Sequence, residues 1–299
     1  MIDISVIIVT FNSSHVLAPC LAALAEEWDR LAFEVIIVDN ASSDRTIEVL
    51  RATPVPCLLI ENDENRGFAA ACNQGLAKSA GRHTLLLNPD TVVSPGMLGR
   101  LVEHLDEHPD CGIAAPRVLN MDESDQGTAR RFHDEWAFLF GRRSLASRVF
   151  PNNRLSSRYI LSTSEGAPFE ADWVSGACLA MNGTLRHSPV AKLDERFFMY
   201  WEDEDLCRRV RAEGYSVYVL PDVEVHHQEG SSSLRTRKRM IVEFNRSAYY
   251  YYVKHHARSR IDPRRYLAAL LLTARAVAML GLDRLSRPVG DDHPKGAGP

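Results

Sequence analysis

Short aliphatic, β-branched runs alternate with helix-patterned stretches over the first 120 residues, and this alternation constrains the fold more than any other feature. Ile4 to Thr10 is such a run, closed by Asn12-Ser13-Ser14. Val16 to Trp28 follows with Leu17, Leu21, Leu24 and Trp28 at helical spacing. Phe33 to Val38 reads as a second strand, and Asp39-Asn40-Ala41-Ser42-Ser43-Asp44 closes it, with Ser43 or Asp44 able to cap a helix over Arg45 to Arg51. Cys57 to Glu61 predicts a third strand, Gly67 to Ala80 a third helix and Thr84 to Leu87 a fourth strand. Buried strands alternating with helices describe an α/β fold with a doubly wound, mainly parallel sheet, whose ligands sit at the C-terminal strand ends.

Farther along, Gly96 to Glu107 predicts a helix and Gly112 to Leu119 a strand. Met121 to about Ser164 is rich in Arg and Ser and reads as a long irregular excursion. Trp173 to Met181 is another apolar run. Glu202 to Gly214 reads as a helix with a glycine C-cap, and Tyr215 to Leu220 as a returning strand. Helices over Lys238 to His256 and Arg264 to Leu285 follow, and the last dozen residues read as a disordered tail.

Composition excludes several classes of function. With 299 residues, 45% hydrophobic and 25% charged, the chain is long enough for a sizeable core and is not a disordered or fibrous protein. A net charge of -4 supplies no global positive field for nucleic acid. Basic residues nevertheless concentrate after Gln228, which suits work beside an anionic surface. The six cysteines form no C-x-x-C pair and read as reduced cytosolic thiols. The N-terminal apolar run has no basic flank or cleavage site and is too short to span a bilayer, so a cytoplasmic location is expected.

Three acidic features follow strands or open a helix: Asp39, Asp90, and Glu202-Asp203-Glu204-Asp205. Parallel strand ends converge on one crevice, so Asp39 and Asp90 are placed to face one ligand, although a lone Asp after a strand also serves as a turn or cap. In the four-acid run at least two residues are expected to answer the helix dipole. The run follows Phe197-Phe198-Met199-Tyr200-Trp201, and a carboxylate beside such a wall is partly desolvated and suited to general-base work. His226 and His227, on an extended segment, point to opposite faces. One of them either fills a structural role or completes a Mg²⁺ or Mn²⁺ site with Asp90.

Seven segments in order, VIIVTFN, VDNASSD, NRGFAAACNQG, LLLNPDT, WVSGACLAM, FFMYWEDEDLCRRVRAEGY and HHQEGSS, together resemble bacterial family-2 inverting glycosyltransferases of the GT-A fold. The likeness is greatest to the rhamnosyltransferase-like members that build cell-wall and O-antigen polysaccharides. It implies a GT-A domain over residues 1–236, split near 120 into nucleotide-sugar and acceptor halves, then a helical extension over 237–287 and a tail over 288–299. By the same resemblance Thr10, Asn12, Asp39, Asn65, Arg66, Gly67, Asn88 and Asp90 bind the nucleotide sugar. Asp90 and His227 hold the divalent cation, Asp203 is the base, and Trp173, Ser175, Gly176, Trp201 and Glu202 lie on the acceptor side. Asn88 stands where many relatives carry a further aspartate, leaving Asp90 the one carboxylate of that motif. The implied donor is dTDP-rhamnose or a UDP-sugar, and the implied acceptor a glycan or polyprenyl-diphosphate-linked glycan.

Competing functions lack their motifs. A nucleotidyltransferase needs a Gly-rich basic loop after the first strand and a dehydrogenase a G-x-G-x-x-G, and Thr10-Phe11-Asn12-Ser13 is neither. An inactive sugar-nucleotide-binding protein of the same fold is the remaining alternative, and the acid cluster and histidine argue against it. The final helix, apolar among basic residues at Arg264, Arg265, Arg275, Arg284 and Arg287, fits either packing on the body or in a homodimer, or a peripheral position on the inner face of the plasma membrane.

Overall fold

The computed structural model describes residues 1–53, 55–135, 159–161, 166–228 and 237–285. The expected tail at 288–299 lies outside them, as does most of the expected excursion after Met121. Strands β1 (Ile4–Thr10), β2 (Phe33–Asp39), β3 (Cys57–Glu61) and β4 (His83–Leu87) are joined by helices α1 (Leu17–Glu26), α2 (Thr46–Ala52) and α3 (Phe68–Leu76). They pair in parallel in the order β3-β2-β1-β4. The unbroken apolar run Val6 to Val9 of β1 has a direct cause: Val6 and Ile8 enter the core on one side of the sheet with α1, Ile7 and Val9 the other with α3. Each such side chain contributes about 1.5–3 kcal/mol by burial.

The second half departs from a purely parallel pattern. After β5 (Thr91–Val93), α4 (Met97–Glu107) and β6 (Cys111–Leu119) come the short strands β7 (Ala129–Arg130), β8 (Phe169–Glu170) and β9 (Trp173–Val174). The apolar run Trp173 to Met181 is therefore two strands, since Ser175-Gly176-Ala177 separate β9 from β10 (Cys178–Met181). Strand β10 inserts antiparallel between β4 and β6. The returning strand is longer than the aliphatic run predicts: β11 (Ser216–His227) passes a bulge between Leu220 and Glu224, runs parallel to β6 and pairs antiparallel with β5. That extension carries both histidines to the strand end.

Helix α1 stops at Glu26, so Trp28 is not on its buried face; it is exposed and meets Phe33 edge-on. Between β10 and β11 lies α5 (Glu202–Ala212), and α6 (Arg237–His255) and α7 (Pro263–Leu285) close the described chain. These last helices pack on the aromatic stretch before α5, where Phe197, Trp201, Tyr251, Tyr252, Ala268 and Leu272 form a third core cluster. All six cysteines are free, and burial pushes the Cys20 thiol up to about 12.

Candidate active site

The ends of β1 and β2 build the first wall of the crevice. Thr10 and Asp39 are register partners, and the Thr10 hydroxyl donates to Asp39 Oδ1 at 2.7 Å. The backbone N–H of Ser42 donates to Asp39 Oδ2 at 2.8 Å, and its hydroxyl to Oδ1 at 2.5 Å. Both residues are buried, so Thr10 stands behind the carboxylate and orients it. Asn12 adopts φ 54°, and its Oδ1 accepts from the N–H groups of Ser43 and Asp44 at 2.8 and 3.2 Å. The carboxylate of Asp44 accepts from Thr46 N–H at 3.0 Å, the helix-start bond the sequence suggests.

The next loop requires its glycine. Gly67 has φ +89°, and a Cβ there would meet the Phe198 carbonyl oxygen at 2.6 Å. Asn65 Oδ1 accepts from Gly67 N–H at 3.0 Å, and Asn40 donates to the Gly67 carbonyl at 3.1 Å. Phe68 N–H donates to the Phe198 carbonyl at 2.7 Å, tying this loop to the segment before α5. Arg66 is exposed beside it and makes no ion pair among the described residues.

A second corner lies where β4 ends and β11 ends. His227 Nε2 is 3.2 Å from Asp90 Oδ1 and 3.5 Å from Asn88 Nδ2. Alternation along β11 sends the neighbouring ring elsewhere, and His226 pairs with Glu123 at 3.0 Å. No cluster of three or more His, Cys, Asp or Glu able to hold a metal occurs among the described residues. The residues present nevertheless fit a hard divalent cation: an octahedral site with bonds of about 2.1 Å has edges of about 3 Å, close to the nitrogen–oxygen separation here. Asp90 and His227 would supply one such edge, leaving positions for phosphate oxygens and water.

The third corner is the start of α5. Asp203 Oδ2 accepts from Gly176 N–H at 3.0 Å and Oδ1 from Glu204 N–H at 2.9 Å. Burial nonetheless pushes the Asp203 carboxyl above its ordinary value, the two amides and Arg130 acting the other way. A Cβ at Gly176 would lie 3.3 Å from Asp203 Cβ, so the segment expected on the acceptor side also seats this carboxylate. Ser175 stands beside it in the same gap between β9 and β10, partly exposed. Glu202 is buried and its carboxyl is pushed well up by burial and by Asp203.

Tyr200 and Trp201 both have φ 71°, a conformation costing about 1–3 kcal/mol for each bulky residue. Packing holds it: the Trp201 ring lies 5.0 Å from Tyr251 and 5.1 Å from His133. Trp173 donates from its indole to the Arg131 carbonyl at 2.9 Å, and the Arg130 guanidinium lies 4.8 Å over its ring.

Glu204 and Asp205 do not act as exposed dipole partners. Glu204 is buried, accepting from Tyr251 and bonding His133, each at 2.6 Å. Asp205 is fully buried and meets Arg209 at 2.8 Å and Lys254 and His255 at 2.7 Å. A four-acid run at a helix start favours the dipole reading because the basic partners are distant in sequence. Arg130 and His133 were likewise outside the sequence reading, since they lie in a stretch without periodicity.

A family profile described as "Glycosyl transferase family 2" matches residues 5–162, more than half of the chain. The chain belongs to glycosyl transferase family 2. Over 263 residues it is 26% identical to the N-acetylglucosaminyl-diphospho-decaprenol L-rhamnosyltransferase of Mycobacterium tuberculosis, covering 84% of each. It is 34% identical over 106 residues to the succinoglycan biosynthesis protein ExoO of Rhizobium meliloti, covering 35% of this chain and 30% of that one. Among solved structures, the mannosyltransferase PcManGT from Pyrobaculum calidifontis, in complex with GDP-Man and Mn²⁺, superimposes with a TM-score of 0.56 at 18% identity. That match covers 96% of this chain and 76% of the other. The fold is thus the GT-A fold, and this family-2 chain is a glycosyltransferase.

Proposed function

We propose that this family-2 enzyme is an inverting, divalent-cation-dependent transferase. It moves a sugar, rhamnose in the reading that its Mycobacterium tuberculosis relative favours, from a nucleoside diphosphate to a hydroxyl of a lipid-linked glycan. The observation that carries the reading is Asp203, held at the start of α5 by two backbone amides, one of them from the gap between β9 and β10, with its basicity raised by burial. A carboxylate so held accepts the acceptor's hydroxyl proton as the new O–C1 bond forms. The bond from C1 to the diphosphate oxygen breaks from the opposite face, and the nucleoside diphosphate leaves with the electron pair. A divalent cation bound at Asp90 and His227 would neutralise charge on that leaving group. Arg66 stands ready for a phosphate, and Asp39, oriented by Thr10 and Ser42, to accept from the base of the nucleotide.

The enzyme is proposed to work peripherally at the cytoplasmic face of the membrane. Support comes from α7, which is long and apolar enough to cross a bilayer by length and composition. One face of it is docked on the body: Ala268 and Leu272 are buried, Arg275 lies 5.1 Å over Phe244 and Asp283 pairs with Arg237 at 3.2 Å. The opposite face is exposed and uncharged, with Tyr266, Leu267, Leu270, Val277 and Leu282 at helical spacing, and exposed Arg258 and Arg260 precede it. An apolar stripe led by cations complements an anionic lipid surface.

The deciding experiment offers dTDP-rhamnose and UDP-sugars with a polyprenyl-diphosphate-linked acceptor and Mg²⁺ or Mn²⁺, with and without chelator. Product linkage is read by NMR. A product of inverted anomeric configuration, lost with chelator, is expected. Retention, full activity in excess chelator, or nucleotide binding without transfer to any acceptor rejects the corresponding part.

A further inference from the structure

We infer that Gln126 is a positioning residue for His227: it ends a one-way hydrogen-bond chain that keeps the proton of the imidazole on Nδ1 and leaves Nε2 bare toward Asp90. The inference rests on the proposed role of Asp90 and His227 as cation ligands. The chain can be followed from a group whose polarity is not in question. The carboxylate of Asp122 only accepts, so Ser124 donates its hydroxyl to Oδ1 at 2.5 Å. The lone pairs of that hydroxyl then face Asn120 Nδ2, which donates at 2.8 Å. This turns Asn120 Oδ1 toward Gln126, whose Nε2 donates to it at 2.8 Å. The second hydrogen of Gln126 Nε2 goes to the backbone carbonyl of His227 at 2.6 Å, and a carbonyl cannot donate.

With its nitrogen committed twice, Gln126 presents Oε1 to His227 Nδ1 at 2.9 Å. An oxygen acceptor there requires an N–H on the ring. In the neutral imidazole that a cation requires there is one N–H, so with Nδ1 donating to Gln126 the lone pair lies on Nε2, 3.2 Å from Asp90 Oδ1. Two electron-rich atoms at that distance repel each other without a positive charge between them, and they converge on the point a cation would occupy. The backbone is equally fixed: Gln126 N–H donates to the Val118 carbonyl at 3.0 Å, and His227 pairs with Thr91 across β5 and β11. Gln126 is buried, which protects the geometry from water. Partners of this kind on a metal-binding histidine are worth about 10- to 100-fold in metal affinity.

The test uses the full chain labelled with ¹⁵N-histidine. Ring ¹H–¹⁵N correlations of His227 are recorded without metal, and Mn²⁺ affinity is measured by electron paramagnetic resonance with a nucleoside diphosphate present. Wild type is expected to show Nδ1 protonated and Nε2 bare. Gln126→Met should bring in the Nε2–H form and weaken Mn²⁺ binding by about 10- to 100-fold. Gln126→Glu keeps an acceptor at Nδ1 and should keep that nitrogen protonated, while unshifted resonances of the other histidines report an intact fold in both variants. An Nε2–H tautomer in wild type, or unchanged ring shifts and Mn²⁺ affinity in folded Gln126→Met, overturns the inference. Nδ1–H in wild type with no Mn²⁺ binding keeps the hydrogen-bond chain and rejects the cation reading instead.

Discussion

Asp203 and Glu202 are neighbours in sequence with different surroundings. Asp203 takes N–H bonds on both oxygens from Gly176 and Glu204, whereas Glu202 Oε2 is buried without a hydrogen-bond partner among the described residues. Replacing Asp203 with Asn removes the proposed base but keeps its size, so kcat should fall by about 10²- to 10⁴-fold with nucleotide affinity, read by calorimetry, unchanged. Near wild-type turnover would dismiss the assignment. The carboxyl is raised above the ordinary aspartate value of 3.8, and only its ionised form accepts a proton. Activity should therefore decline as pH drops through that raised value. Arg130 lowers the value, so Arg130→Gln should move the acidic limb of the kcat/KM profile upward, and a limb that stays put or moves down would contradict this. From the residues alone a carboxylate behind an aromatic wall was legible; the choice between two adjacent acids came from family resemblance, because burial is not written in the dipeptide.

Helix α5 is held to α6 through charge as well as aromatic packing. Asp205 has no exposed surface and faces Arg209, Lys254 and His255. Burial would raise its carboxyl, yet the His255 hydrogen bond and the two cations hold it below the ordinary value. Asp205→Ala removes the fully buried counter-charge of Arg209 and His255, while Lys254 keeps Asp194 at 2.7 Å, and a loss of up to about 3–5 kcal/mol in urea unfolding is expected. Faster amide exchange along residues 237–255 should accompany it. An unaltered unfolding midpoint would show that the aromatic cluster suffices. Gly67 makes a second test at this scale: Gly67→Ala forces φ +89° on a residue with a Cβ and drives that Cβ into the Phe198 carbonyl. About 1–3 kcal/mol of strain is expected, seen as a lower Tm and a raised KM for the donor. A glycine in a loop is visible in any sequence; the carbonyl that forbids a side chain there is not.

For the molecule as a whole, α7 turns Arg275 and Asp283 toward the body and leaves Tyr266, Leu267, Leu270, Val277 and Leu282 exposed, the reverse of a solvated surface helix. Leu270→Asp with Val277→Asp should abolish co-sedimentation with anionic vesicles while transfer to a soluble acceptor persists. Unchanged vesicle binding, or a wild-type dimer that the two substitutions dissociate, would assign the stripe elsewhere. The sequence by itself determined the helices, most strands and the α/β class, because a strand buried on both faces needs an unbroken aliphatic run and a packed helix needs its stripe. It also marked Asp39, Asp90, the Glu202–Asp205 run and the His226-His227 pair as candidates for chemistry, and the resemblance to the family narrowed these to Asp203 and His227. Tertiary structure alone decided that β10 inserts antiparallel between β4 and β6, that β11 extends to bring His227 to Asp90, and that Glu204 and Asp205 turn inward to α6. It alone set Gln126 behind the histidine. Each of these joins residues far apart in the chain, and such a pairing is settled by which surfaces meet on folding, a free-energy balance that no local pattern of residues records.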